Sequence, residues 1–299
     1  MTPKIPPEIY GLLIEALGSG LSSDQYMERR EALRDLQACT NTSRLLWHLG
    51  RRQLFHEVCT EGIMNTRESL KKCLTDLLVL MSDEIYPITP LIMSFRLHLS
   101  EQAVESIYSE AKMALDQTHL STLLVQILIL LGNQGTLLSL RIERRPRGPL
   151  RWSAIHTSLG TSIHTLLRLT SLTHLGLVWI HQIPPGLLLG SYVRSLKMQF
   201  CGIDSAEKPL AQHEQQLTYP PLTLLENFGG PFMAILLGDK APSGGHVLGQ
   251  TYIPLKRLIF AIKYLTNHSD AAREVTQALD LSLNTLEKLH LQFSCKYIS

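Results

Sequence analysis

Aromatic residues are scarce in this sequence, at 6% of 299 residues. A core so poor in rings must be filled by aliphatic side chains, and leucine supplies most of them. Charged residues are also few, at 18%, and nearly balanced, with a formal net charge of +2. That balance excludes the strongly basic surface that nucleic acid or an anionic membrane attracts. Cysteine is limited to Cys39, Cys59, Cys73, Cys201 and Cys295, an odd number with no CxxC pair. The pattern excludes a disulfide framework and a cysteine-based zinc site, and it fits a reducing compartment, the cytoplasm or the nucleus. Long apolar runs are missing too. The longest, Leu123 to Leu131, is interrupted by Gln126 and falls well short of the ~20 residues that span a bilayer. The opening MTPKIPPEIYGLLIEAL carries prolines and Glu8 where a secretory signal needs an unbroken apolar core.

Catalytic signatures are lacking as well. The chain has no GxGxxG, no P-loop and no GxSxG elbow, and His56-Glu57 lacks the second histidine of a zincin. His156 and His164, or His174 and His181, have spacings that suit neither one helical turn nor a zinc finger. No nucleophile–base pairing and no cofactor loop can be named. The sequence therefore predicts no enzyme, no cofactor and no metal site.

What is present is a helical start. Hydrophobic residues make up 44% of the chain, the balance of a folded protein rather than a disordered one. Residues 1–57 read as three helices. Pro6 and Pro7 suit a first turn, and Ile9, Leu12, Leu13 and Leu17 then share one helical face. Gly18 and Gly20 end that helix, Asp24 can cap a second that carries Leu33 and Leu36, and Thr40-Asn41-Thr42-Ser43 is cap chemistry before a third.

Beyond about residue 60 an LxxLxL spacing recurs. The copies are Ile92–Phe95–Leu97, Leu137–Leu140–Ile142, Leu172–Leu175–Leu177, Val193–Leu196–Met198, Leu255–Leu258–Phe260 and Leu286–Leu289–Leu291, with a weaker one at Leu222–Leu225. The alternation at the end of each copy is that of a half-buried strand. Helical stretches such as Ser100–Leu115, His119–Leu131 and Asp270–Leu281 lie between. The steps between copies are 45, 35, 21, 62 and 31 residues. A strand and a helix in alternation mark a leucine-rich solenoid; an α/β domain with leucine-rich strands is the other reading. Segments Gly18–Gln25, Asp204–Pro221 and Gly238–Gln250 read as loops. The run RIERRPRGPLR gathers Arg141, Arg144, Arg145, Arg147 and Arg151 around Glu143, which reads as a solvated loop after a strand, with a patch for an acidic partner or a nuclear signal as the other readings.

The first 57 residues resemble the F-box-like module of fungal proteins. Its Leu-Pro-Pro-Glu-Leu opening stands here as Ile5-Pro6-Pro7-Glu8-Ile9, its Leu-x-Ala-Cys as Leu36-Gln37-Ala38-Cys39, and its closing run as Arg51-Arg52-Gln53-Leu54-Phe55. Ser43 and Leu46 stand where the family has a second Cys and a Trp. Leu172-Thr173-His174-Leu175-Gly176-Leu177 and Leu286-Glu287-Lys288-Leu289-His290-Leu291 are similar to the leucine-rich repeats such proteins carry. The resemblance implies an α/β protein with an F-box-like helical module at 1–57 and an irregular leucine-rich-repeat-like solenoid at 58–299. It also implies a substrate receptor: the module docks on a Skp-type adaptor of a cullin–RING ubiquitin ligase, and the remainder holds a protein target. Ile5, Pro6, Ile9, Leu13, Leu36 and Cys39 would include the adaptor-facing residues. A scaffold with a degenerate F-box that binds no ligase is the alternative.

The target surface is read from strand alternation. Residues between the last two apolar positions of each copy point away from the core. They are Arg96, Arg141, Gly176, Lys197, Ile259 and His290, three of them basic and none acidic. This predicts a positively charged face on which Arg96, Arg141 and Lys197 hold an acidic or phosphorylated segment.

Overall fold

In a computed structural model of the chain, the described residues are 7–22, 26–60, 67–99, 120–144, 149–152, 155, 157–202, 220–228, 254–261, 268–282 and 284–292. Three helices come first: α1 (Pro7–Ser19), α2 (Tyr26–Thr40) and α3 (Arg44–Leu54). A 3-10 turn at Gly20–Ser22 follows α1, so part of the predicted loop Gly18–Gln25 is helical. Ser43 caps α3, its hydroxyl accepting from the Leu46 N–H at 3.2 Å. That pairs one of the four N–H groups a helix start leaves open. Ile14, Leu36 and Leu46 form a small core for these helices, with Tyr10, Leu17, Cys39 and Leu49 against it.

The rest is built on one sheet. Its strands are β1 (Glu57–Cys59), β2 (Ser94–Leu99), β3 (Ser139–Arg144), β5 (His174–Val178), β7 (Ser195–Gln199), β8 (Leu224–Phe228), β9 (Arg257–Ala261) and β10 (Lys288–Gln292). All are parallel, and each lies beside the strand of this sheet that precedes it in the chain. Two further short strands, β4 (Leu150–Arg151) and β6 (Ile180–His181), pair with each other. The LxxLxL segments are thus neighbouring strands in chain order, and the weak copy at Leu222–Leu225 supplies β8.

The register explains the spacing. Phe95, Leu140, Leu175, Leu196, Leu225, Leu258 and Leu289 stand side by side on successive strands, and Leu97, Ile142, Leu177 and Met198 form a second row. Against these rows pack α4 (Arg67–Met81), α5 (Leu120–Gln134) and α6 (Thr157–Leu167). Leu70, Leu74, Leu77 and Met81 fall on one face of α4. Leu120, Leu123, Leu124, Ile127, Leu128 and Leu131 do the same on α5. Gly135 at φ 64° ends α5 in the left-handed conformation that glycine tolerates best. Helix α7 (His268–Ser282) adds Ala278 to the same core. Each fully buried leucine contributes on the order of 1.5–3 kcal/mol, so this continuous apolar layer dominates the fold.

The predicted architecture is therefore corrected. The chain is α/β, with one large eight-stranded parallel sheet and seven α-helices among the described residues, and not a helical F-box-like module followed by a leucine-rich-repeat-like solenoid. Two observations decide this. Glu57–Cys59, at the predicted end of the helical module, is the sheet's first strand. Helices of 11 and 15 residues separate neighbouring strands and share one core with the sheet. The LxxLxL spacing reports only that a strand buries alternate residues, and a layered α/β sheet has the same requirement. The strand order never reverses among the described strands, so these strands form no switch-point crevice of the kind that serves doubly wound sheets as a ligand site.

Leu289 and Leu291, predicted to be buried, are 44% and 37% exposed. They lie on β10, which pairs only with β9 among the described residues, so no described strand on the outer side completes their rows. The predicted helix Ser100–Leu115, the cap Asp24 and the loop Gly238–Gln250 lie outside the described residues, as does most of the loop Asp204–Pro221.

Candidate protein-binding surfaces

The first surface is on α1. Ile9, Leu12 and Leu13 are 51%, 62% and 46% exposed, and their spacing of i, i+3, i+4 places them on one face of the helix. The same helix turns Ile14 into the small core. Met27, Leu33 and Leu45 are exposed on α2 and α3. A three-residue core cannot hide this many apolar side chains, and such a surplus marks an interaction surface.

The predicted adaptor-facing residues divide. Ile9 and Leu13 are exposed. Leu36 is completely buried, and Cys39 is half-buried against the same core, so Leu36 acts inside the helical unit rather than on its surface. Ile5 and Pro6 lie outside the described residues. Leu46, where the family has a Trp, is also core. Its neighbour Trp47 meets Tyr86 edge-to-face with centroids 5.4 Å apart. Arg51 lies 4.5 Å over the Trp47 ring and donates to the Tyr86 carbonyl at 2.5 Å. The Asp83 carboxylate accepts from the Ile85 and Tyr86 N–H groups, which holds its pKa below the ordinary value. This joint fixes α3 against the turn that follows α4.

The second surface is the sheet face turned away from the helices. Cross-strand register places Cys59, Arg96, Arg141, Gly176, Lys197, Glu226, Ile259 and His290 in one row. A parallel row holds Glu57, Ser94, Ser139, His174, Ser195, Leu224, Arg257 and Lys288. Arg96, Arg141 and Lys197 share this face as predicted, but each meets a carboxylate. Arg96 pairs with Glu57 at 3.4 Å, Arg141 with Glu143 at 2.7 Å and Lys197 with Glu226 at 3.1 Å. Around these three residues the face is balanced rather than positive. Gly176 is required beneath Arg141: a methyl there would come within 2.9 Å of the Arg141 Cγ.

The arginine-rich run is partly absorbed by the fold. Arg141 joins Glu143, and the buried Arg144 donates to the Pro149 carbonyl at 2.9 Å, tying the run back on itself. Arg145 and Arg147 lie outside the described residues. At the strand ends, Trp179 packs on Phe200 at 4.6 Å between centroids, and both hold positive φ. Cys201 beneath them bonds to the Leu177 carbonyl, and burial pushes its thiol up to about 11. His181 is held below the ordinary imidazole value, first by burial.

Sequence reasoning missed Arg257 and Lys288. They are adjacent across β9 and β10, exposed, and without an ion pair among the described residues. The signal was available: the residue before the middle apolar position of each copy alternates onto the same face as the residue after it. It also missed Glu57 and Glu226, which only the register between strands brings beside Arg96 and Lys197. No group of three or more potential metal ligands comes together among the described residues, and no helix there is long and apolar enough to cross a membrane. Comparison with protein families and with curated proteins finds no matching family and no matching relative.

Proposed function

We propose that this protein binds other proteins and catalyses nothing: its N-terminal helices dock on a Skp-type adaptor of a cullin ubiquitin ligase, and its open sheet face holds a protein target. The observation that carries the reading is the apolar stripe of Ile9, Leu12 and Leu13, exposed on a helix whose other face already fills its own core. Apolar helix faces of this kind enter hydrophobic grooves on partners through i, i+3, i+4 anchors. The resemblance of Ile5-Pro6-Pro7-Glu8-Ile9 to the F-box opening supports the choice of partner. Of the adaptor-facing set, Ile9 and Leu13 carry the contact, while Leu36, on α2, packs with Ile14 in the core behind the helix that presents it. The cytoplasm or the nucleus is the compartment this role requires. The test is affinity capture from cell extract with the full chain as bait. Co-purification of adaptor and cullin is the expected result. A protein that captures targets but neither ligase component is a scaffold without a ligase, the second reading.

The target side is the polar face that carries Arg96, Arg141 and Lys197. Its alternating ion pairs offer donors and acceptors side by side. That arrangement favours a target with mixed charge at the centre of the sheet over a purely acidic one.

A further inference from the structure

The positive charge that the sequence predicts for the sheet face lies at one end of it. Arg257 and Lys288 are cross-strand neighbours on β9 and β10, and Ile259 and His290 are the next pair on the same face. Arg257, Lys288 and His290 are all exposed, and none forms an ion pair among the described residues. On the opposite face, β10 leaves Leu289 and Leu291 uncovered. Glu287, just before β10, is already paired with Lys256 at 3.1 Å.

Among the described residues, the edge of β10 is also open in the plane of the sheet. The Lys288 N–H bonds inward to the Lys256 carbonyl. In a parallel strand, successive residues direct their backbone groups to opposite sides. Leu289 and Leu291 therefore aim their N–H and C=O groups outward, where no described strand receives them. An open edge of this kind is a template for one more strand.

We propose that β10 takes an extended segment of another protein as a further parallel strand, one in which apolar and acidic residues alternate. Side chains alternate along the added strand just as they do along β10. Its apolar residues would cover Leu289 and Leu291, and its carboxylates would face Lys288, His290 and Arg257. Backbone hydrogen bonds provide affinity in such an addition, and the alternating side chains select the partner. The charge that remains uncompensated among the described residues here, against the paired Arg96, Arg141 and Lys197, is what marks the occupant as acidic. This inference rests on the sheet alone, not on the adaptor reading, so either can fail without the other.

The experiment titrates the full chain into a fluorescent peptide of alternating valine and glutamate and follows anisotropy. Saturable binding is expected, weakened about tenfold or more by raising salt or by Arg257→Glu with Lys288→Glu, both surface changes. A valine–lysine peptide should bind far more weakly. N-methylation of alternate backbone nitrogens in the valine–glutamate peptide should abolish binding while leaving the protein untouched. No binding by the folded chain, equal binding of the lysine peptide, or undiminished binding of the N-methylated peptide would each overturn the proposal. So would sedimentation showing that the chain pairs with a second copy of itself and loses that pairing in the double variant, because the edge would then belong to self-association.

Discussion

At the scale of single residues, two positions set the sharpest tests. Gly50 on α3 faces Thr40 at the end of α2, and a methyl on it would overlap the Thr40 Cγ2. Both residues are buried, with little room to give way. Gly50→Ala is expected to cost about 1–3 kcal/mol, the usual range for overpacking. Thr40→Ser removes the opposing methyl and keeps the hydroxyl that donates to the Gln37 carbonyl. The double variant should recover most of the loss in urea denaturation, and failure to recover would mean the helices do not approach as described. Cys201 tests the sheet. Burial raises its thiol from 9.0 to about 11. The unfolded chain therefore loses this proton first as pH rises, so the thiol's stabilising contribution is complete below about pH 9 and disappears as pH climbs to about 11. The two-unit difference corresponds to something on the order of 3 kcal/mol. Stability measured from pH 8 to 11 should fall less steeply in Cys201→Ala than in the parent. Neither position is legible as special in the sequence. Gly50 sits in a helical pattern that any small residue would satisfy, and Cys201 follows a strand segment without a motif of its own.

At the scale of elements, α1 and α2 illustrate how far pattern reasoning reaches. The 3.6-residue spacing of Ile9, Leu12, Leu13 and Leu17 identifies a helix, yet it does not say which apolar face is buried. In the structure Ile14 and Leu17 turn inward and Ile9, Leu12 and Leu13 outward. The consequence is measurable. Ile9→Asp with Leu13→Asp should change the melting free energy by no more than about 0.5 kcal/mol, as exposed substitutions generally do. Leu36→Ala should cost about 2–5 kcal/mol. Equal losses would place the α1 stripe in the core and remove it as a surface. The strands were readable one by one, because LxxLxL spacing is the imprint of burial on alternate residues. β1 was not: three residues with Val58 as their main apolar member give too short a pattern to detect. The carboxylates opposite Arg96 and Lys197 were invisible for another reason. Glu57 and Glu226 lie on neighbouring strands, and register between strands is a tertiary property.

At the scale of the whole molecule, the helical unit and the sheet each have a core, and Trp47, Arg51 and Tyr86 join them. Local spacing revealed the parts but not the architecture, since the same apolar rhythm serves a stacked repeat and a layered parallel sheet. The irregular steps of 21 to 62 residues between copies were the sign that no constant unit is being stacked. The proposed roles of the two surfaces rest on where their side chains remain uncovered: an apolar stripe on α1, and a sheet face with ion pairs at its centre and, among the described residues, cations without an ion pair at β9 and β10. The most direct test of the central claim is calorimetric titration of a purified Skp-type adaptor into the full chain and into its Ile9→Asp, Leu13→Asp variant. Saturable binding by the parent, lost in a variant that melts at the parent's temperature, is the predicted result. Failure of the folded parent to bind, or undiminished binding by the variant, would contradict the account.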